Sequence, residues 1–191
     1  IIDSKELFIE IEQEIEKYRL ERENLNKKNK SFLQKREDLS KHIAELDKDE
    51  TVGEKVKEFS MPSTDGKQIK LSEFASGNKC TLIHFWASWD VKSTQSIKEL
   101  RLLFNKYKSE GFNIISVSLD DDRASWLKAI KVYGMQWKNV SDLKRWNSII
   151  VKLYGLEYIP QNILIDSQGK IIAKNISYDD LNQRLLLMLM K

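Results

Sequence analysis

Residues 80–88, Cys80-Thr81-Leu82-Ile83-His84-Phe85-Trp86-Ala87-Ser88, form a nearly unbroken apolar, β-branched and aromatic run. That is the pattern of a strand buried on both faces. A polar step through Trp89, Asp90, Val91, Lys92 and Ser93 follows, and apolar residues then recur at Ile97, Leu100, Leu103, Phe104 and Tyr107, the spacing of a helix. A buried strand running directly into a helix commits the chain to a layered α/β fold. Such folds place their sites at the carboxyl ends of strands.

The downstream pattern extends this unit. Phe59–Ser63 and Gln68–Leu71 read as a short hairpin around the turn Thr64-Asp65-Gly66-Lys67. The first helix is expected over 91–109, and residues 112–119 read as a second buried strand. Asp120, Asp121 and Asp122 then open a helix over 123–133. A short strand at 137–140 and a helix at 143–153 follow. The run Ile163-Leu164-Ile165 after Pro160 and residues 170–174 are the last two strands, and an amphipathic helix over 178–190 closes the chain. Three adjacent acids invite a metal reading. Carboxylates at a helix start are better explained as partners of its free N–H groups, so no metal is expected there.

Residues 1–50 differ in kind. Half of them are charged, 11 Lys/Arg against 14 Asp/Glu, and all seven glycines and both prolines lie beyond them. We therefore divide the chain into a helical arm or linker, 1–50, and a globular domain, 51–191. In the arm, Ile11, Tyr18, Leu25, Phe32, Leu39 and Leu46 fall on heptad position d, and Phe8, Ile15, Arg22, Asn29, Arg36 and Ile43 on a. This is a coiled-coil seam with a polar middle, which makes a homo-oligomer through residues 1–50 an expectation. The alternatives are a solvated linker, or a two-helix hairpin that turns at 26–31 with Ser31 capping its second helix. The chain begins with Ile1 rather than Met and reads as a fragment.

Net charge is +3 with both signs interspersed, which argues against a nucleic-acid surface. No apolar run reaches the roughly 18 residues of a membrane span. One cysteine, Cys80, excludes an intramolecular disulfide and a cysteine-based zinc cluster. No cofactor is expected.

The phrase Phe85-Trp86-Ala87-Ser88-Trp89 resembles the F-W-A-S-W-C-x-x-C phrase of the TlpA/ResA-like thiol-disulfide oxidoreductases, the AhpC/TSA group of the thioredoxin superfamily. Val52-Gly53 with Phe59, Leu71-Ser72-Glu73-Phe74, Ile159-Pro160 before a strand, and Asp166-Ser167-Gln168-Gly169-Lys170 are similar to that family too. The resemblance covers about 52–191. It implies a thioredoxin-like three-layer α/β/α domain with a central mixed sheet, a cis bond before Pro160, and a setting in the bacterial cell envelope or periplasm. It also implies dithiol chemistry, and there the sequence departs: Asp90 and Ser93 stand where the two cysteines would be.

A dithiol enzyme needs a thiolate at the helix N-terminus and a second thiol one turn on. Asp90 keeps the negative charge and reads as a helix N-cap, and Ser93 has no redox atom. Cys80, at the far end of the strand, reads as a small buried hydrophobe. His84 lies where the family has a buried acid, and is either a relay left without its thiols or a satisfied core histidine. Trp89, Asp90, Tyr158, Ile159 and Pro160 are the candidate walls of a peptide groove. Trp126, Trp137 and Trp146 are read as core, with an aromatic wall as the alternative. Two functions follow: a redox-inactive module binding peptide or protein, or an envelope oxidoreductase acting in redox homeostasis.

Overall fold

A computed structural model describes the backbone of residues 4–46 and 50–189, and the side chains of 13–41, 43 and 50–189. The chain separates into two compact units that divide between Ala44 and Glu45.

The first unit is one helix, α1, Ser4–Leu46, about 65 Å long at 1.5 Å per residue. It runs unbroken through 26–31, so the hairpin alternative is overturned: Asn and Ser there lower helix propensity, but the lysines between them favour helix and neither glycine nor proline stops the ladder. Ion pairs line its surface, Lys17–Glu14 at 3.4 Å, Arg19–Glu16 at 3.7 Å and Lys41–Glu37 at 3.1 Å. The seam residues Ile15, Tyr18, Leu25 and Phe32 are all exposed. The side chains of Phe8, Ile11 and Leu46, expected at the ends of the seam, lie outside the described residues.

The second unit begins with a hairpin, β1 (Ser60–Pro62) and β2 (Gln68–Lys70), and a short helix, α2 (Leu71–Ser76). Then come β3 (Cys80–Trp86), α3 (Val91–Tyr107), β4 (Phe112–Ser118), α4 (Arg123–Tyr133), β5 (Lys138–Val140) and α5 (Ile149–Tyr154). The antiparallel pair β6 (Gln161–Asp166) and β7 (Ile171–Lys174) and the helix α6 (Tyr178–Leu189) complete it. The sheet order is β5-β4-β3-β6-β7. β4 runs parallel to β3 and to β5, whereas β6 runs antiparallel to β3 and to β7. Every residue of β3 is buried, as its continuous apolar run requires of a central strand.

Strand alternation sends the side chains of β3 into two cores. Leu82 and Trp86 join Ile97, Leu103 and Tyr107 of α3 and Leu181, Leu185 and Leu189 of α6 on one face. Ile83 and Phe85 join Phe59 and Met61 of the hairpin region, Leu71 and Ala75 of α2 and Ile150 of α5 on the other. The result is the expected three-layer α/β/α domain on a mixed sheet.

Most elements fall where the sequence puts them, within a residue or two. The helix expected over 143–153 is the exception, since α5 starts only at Ile149. Ser141 Oγ accepts the Leu143 N–H at 3.1 Å, Asp142 Oδ1 accepts the Lys144 N–H at 3.2 Å, and Asp142 Oδ2 accepts the Ser148 hydroxyl at 2.9 Å. These local bonds offer the backbone an alternative to helix. Leu143 and Arg145 accordingly adopt left-handed φ of 56° and 53°.

Candidate functional site

β3 ends at Trp86, and a turn carries the chain to α3, with the Asp90 N–H donating to the Ala87 carbonyl at 3.3 Å. Asp90 is extended, with φ −97° and ψ 120°, and its Oδ2 accepts the Ser93 N–H at 2.6 Å. It is the N-cap of α3, as its position predicts, a role that contributes about 1 kcal/mol. Ser93 is fully buried, and its Oγ has no hydrogen-bond partner.

The turn is held from β4. Asp120 follows that strand, is 1 % exposed, and receives the Ser88 hydroxyl at 2.6 Å, the Ser88 N–H at 3.1 Å and the Ser118 hydroxyl at 2.6 Å. Asp122 caps α4 by accepting the Ser125 N–H at 2.7 Å, and hydrogen bonding from the Ser125 side chain, then from its N–H, holds the carboxyl below the usual range. Asp121 pairs with Arg145 at 3.3 Å. The three acids therefore do three separate jobs.

His84 faces α3. The Trp137 indole N–H donates to Ser116 Oγ at 2.7 Å, and Ser116 Oγ lies 3.2 Å from His84 Nδ1. On the other side Nε2 lies 3.2 Å from Ser96 Oγ, and the Ser96 hydroxyl donates to the Ser93 carbonyl at 2.8 Å. A neutral imidazole with its proton on Nε2 uses every one of these groups once. Burial pushes the His84 pKa down to about 3, so the ring is neutral across the physiological range. This is the satisfied core histidine, and its chain of bonds ends at the backbone of Ser93.

The Ile159–Pro160 bond is cis, as expected. Gln161 pairs with Phe85 and Asn162 with His84, so the Pro160 loop lies against the end of β3. His84, Ser96, Glu99, Tyr158, Pro160 and Asn162 share one cleft of about 360 Å³. Of the residues expected at the groove, Tyr158 and Pro160 line this cleft, and Tyr158 is 55 % exposed. Ile159 is buried in the core with Phe85 and Ile150. Trp89, 42 % exposed, turns instead to Arg145, whose guanidinium sits 5.0 Å from the ring centroid. Trp126 and Trp137 are core, but Trp146 is 40 % exposed, against its reading as core. It sits in the irregular 3₁₀ turn Arg145–Asn147, which presents it outward.

Cys80 is buried at the opposite end of β3, and burial pushes its thiol up to about 12, against the opposing effect of Lys79. It is not a reactive thiol.

The sequence profile of the AhpC/TSA family matches residues 52–174. The chain belongs to the AhpC/TSA family. Among AhpC/TSA relatives, it is 27% identical over 123 residues to the thiol-disulfide oxidoreductase ResA of Bacillus thuringiensis subsp. konkukian, covering 64% of this chain and 68% of that one. The C-terminal domain of a protein assigned as a thiol-disulfide oxidoreductase from Bacteroides thetaiotaomicron is 37% identical, with TM-score 0.68 over 72% of this chain and 95% of that one. A thiol-disulfide oxidoreductase from Bacteroides fragilis is 33% identical, with TM-score 0.65 over 69% and 97%. The domain is thus a thioredoxin-like member of the thiol-disulfide oxidoreductase family within AhpC/TSA. Its single cysteine is consistent with loss of the family's C-x-x-C pair.

The sequence reading missed Ser96, Ser116 and Arg145, and it took Asp120 for a helix-start acid, whereas only Asp122 caps α4 and Asp120 binds Ser88 and Ser118. A signal existed for Ser116. Ser116 and Ser118 alternate with Ile115 and Val117 in an otherwise apolar strand, and a buried hydroxyl needs a partner.

Proposed function

We propose that this domain is a redox-inactive thioredoxin-like module that binds an extended peptide or protein segment along the cleft between α3 and the Pro160 loop. The observation that carries the reading is the Asp90 cap: an oxygen ligand of the Ser93 N–H occupies the helix terminus where dithiol chemistry would need a thiolate. The one thiol, Cys80, is buried at the opposite end of β3, so no sulfur stands at this end of the sheet for exchange. Two features support binding. The cleft lies beside the cis bond, and Tyr158 stands exposed on its wall with an apolar face and a polar edge. A bacterial envelope setting, implied by the family resemblance, is part of the same proposal.

The redox half is tested with insulin and dithiothreitol. The native chain should not accelerate precipitation above the reductant alone. Asp90→Cys combined with Ser93→Cys should acquire a reducible intramolecular disulfide, because the turn and the helix that would present the two sulfurs are in place. Catalysis by the native chain would refute the proposal, and a double variant that cannot be oxidised would refute the site alignment.

The binding half is tested by screening immobilised extended peptides with the native chain. Sequences retained should bind at least tenfold more weakly to Tyr158→Ala, the scale of one lost aromatic anchor at about 1.4 kcal/mol per decade. Undiminished binding would remove the cleft from the proposal.

A further inference from the structure

The exposed face of α1 has a charge pattern that specifies its partner. Residues 4–25 carry seven acids and four bases, and residues 26–46 three acids and six bases, so the halves have charges of −3 and +3. Beside the seam, heptad position g reads Glu14, Glu21, Lys28 and Lys35. Its sign reverses about a point midway between residues 21 and 28. A surface that reverses about its own centre is complementary to itself under a two-fold axis, which is the requirement of a symmetric dimer.

We propose that α1 pairs with α1 of a second copy of this chain as an antiparallel coiled coil, with Ile15 opposite Phe32, Tyr18 opposite Asn29 and Arg22 opposite Leu25 of the second copy. In antiparallel pairs a faces d, and g lies beside g. This register sets Glu14 beside Lys35 and Glu21 beside Lys28, twice each by symmetry, with no like-charge g pair. Sliding one heptad in one direction puts Lys28 beside Lys28, and sliding in the other puts Glu21 beside Glu21. Like charges in register are unfavourable, so the g positions select a single alignment. A parallel dimer fares worse. It stacks Arg22 on Arg22 and Arg36 on Arg36 at a, and its one opposite-charge g–e pair joins Glu14 to Arg19. Arg19 is already held in its own helix by Glu16 at 3.7 Å and Glu23 at 3.8 Å. Among the described residues, Glu21, Lys28 and Lys35 have no ion-pair partner of their own.

The apolar side of the seam needs a cover as well. Ile15 is 61 % exposed, Leu25 58 % and Phe32 57 %. Helices gain most of their stability from burying such a stripe, and the alignment buries all three in a–d layers.

The test uses the full chain. Sedimentation equilibrium should give a two-chain mass at tens of micromolar. Glu14→Lys with Glu21→Lys should weaken association at least tenfold, and adding Lys28→Glu and Lys35→Glu should restore it. To fix direction, Glu14→Cys and Lys35→Cys in one chain should be joined into a covalent dimer by a short bismaleimide, with Cys80 too buried to react. Positions 14 and 35 are about 30 Å apart along one helix at 1.5 Å per residue, so a bridge within one chain is out of reach. A one-chain mass, or cross-linking of Glu14→Cys with Arg19→Cys and not with Lys35→Cys, would overturn the proposal.

Discussion

Acidification from pH 7 to pH 5 is expected to cost the domain about 2 kcal/mol of stability through His84 alone. The folded ring has its pKa pushed by burial from 6.5 to about 3, so the native state holds it neutral. The unfolded chain takes up a proton as pH falls through about 6.5, and the folded chain does not until about 3. Protons therefore favour unfolding throughout that window. The stabilisation is complete above about pH 6.5 and is lost at roughly 1.4 kcal/mol per pH unit below it. Replacing the ring isolates the effect, because the contributions of other groups cancel in the difference. His84→Gln should be less stable than native at pH 7, since Ser96 and Ser116 lose their ring partners, yet its stability should fall less steeply with acid. Urea titrations at pH 7, 6 and 5 read both slopes. Parallel slopes would mean that the ring takes up its proton in the folded state and that the Trp137–Ser116–His84–Ser96 chain is wrongly assigned.

Asp120→Ala should cost about 3–5 kcal/mol, the scale of breaking a buried polar cluster by removing its central partner. Three donors converge on that carboxyl, two of them from Ser88. Alanine leaves the donors without a partner in a site that is 1 % exposed. Asp120→Asn keeps one acceptor oxygen and should lose about half as much. The loss should concentrate at the β3–α3 turn, so amide exchange at Ser88 should accelerate more than exchange at Leu82 within β3. A variant within about 1 kcal/mol of native stability would show that Asp120 does not anchor the turn.

These two groups also mark where sequence reasoning stopped. The strand at 80–86 and the helix after it were visible because period and composition agree there. The role of Asp90 followed from helix-end chemistry alone. The cis bond at Pro160 came from the family resemblance, not from the local pattern. The partners of Ser116 and Asp120 were not legible for a different reason. Ser116 bonds His84, 32 positions away, and Trp137, 21 away, while Asp120 bonds Ser88, 32 away, and no periodicity links residues across a crossover. Trp146 was misread because Ser141 and Asp142 divert the backbone from the helix that the apolar spacing of 143–153 suggests.

The carboxylate at the head of α3 has a consequence for signalling. A thiol pair in that place would exist as two chemical species, and their ratio would follow the reduction potential of the surroundings. Shape and charge at the cleft would then vary with that potential. Asp90 presents one species whatever the electron supply, and its bond to the Ser93 N–H is the same in either condition. Under the proposed binding function, occupancy of the cleft would be uncoupled from redox state, because the head of α3 offers no group whose chemical form follows the oxidants around it.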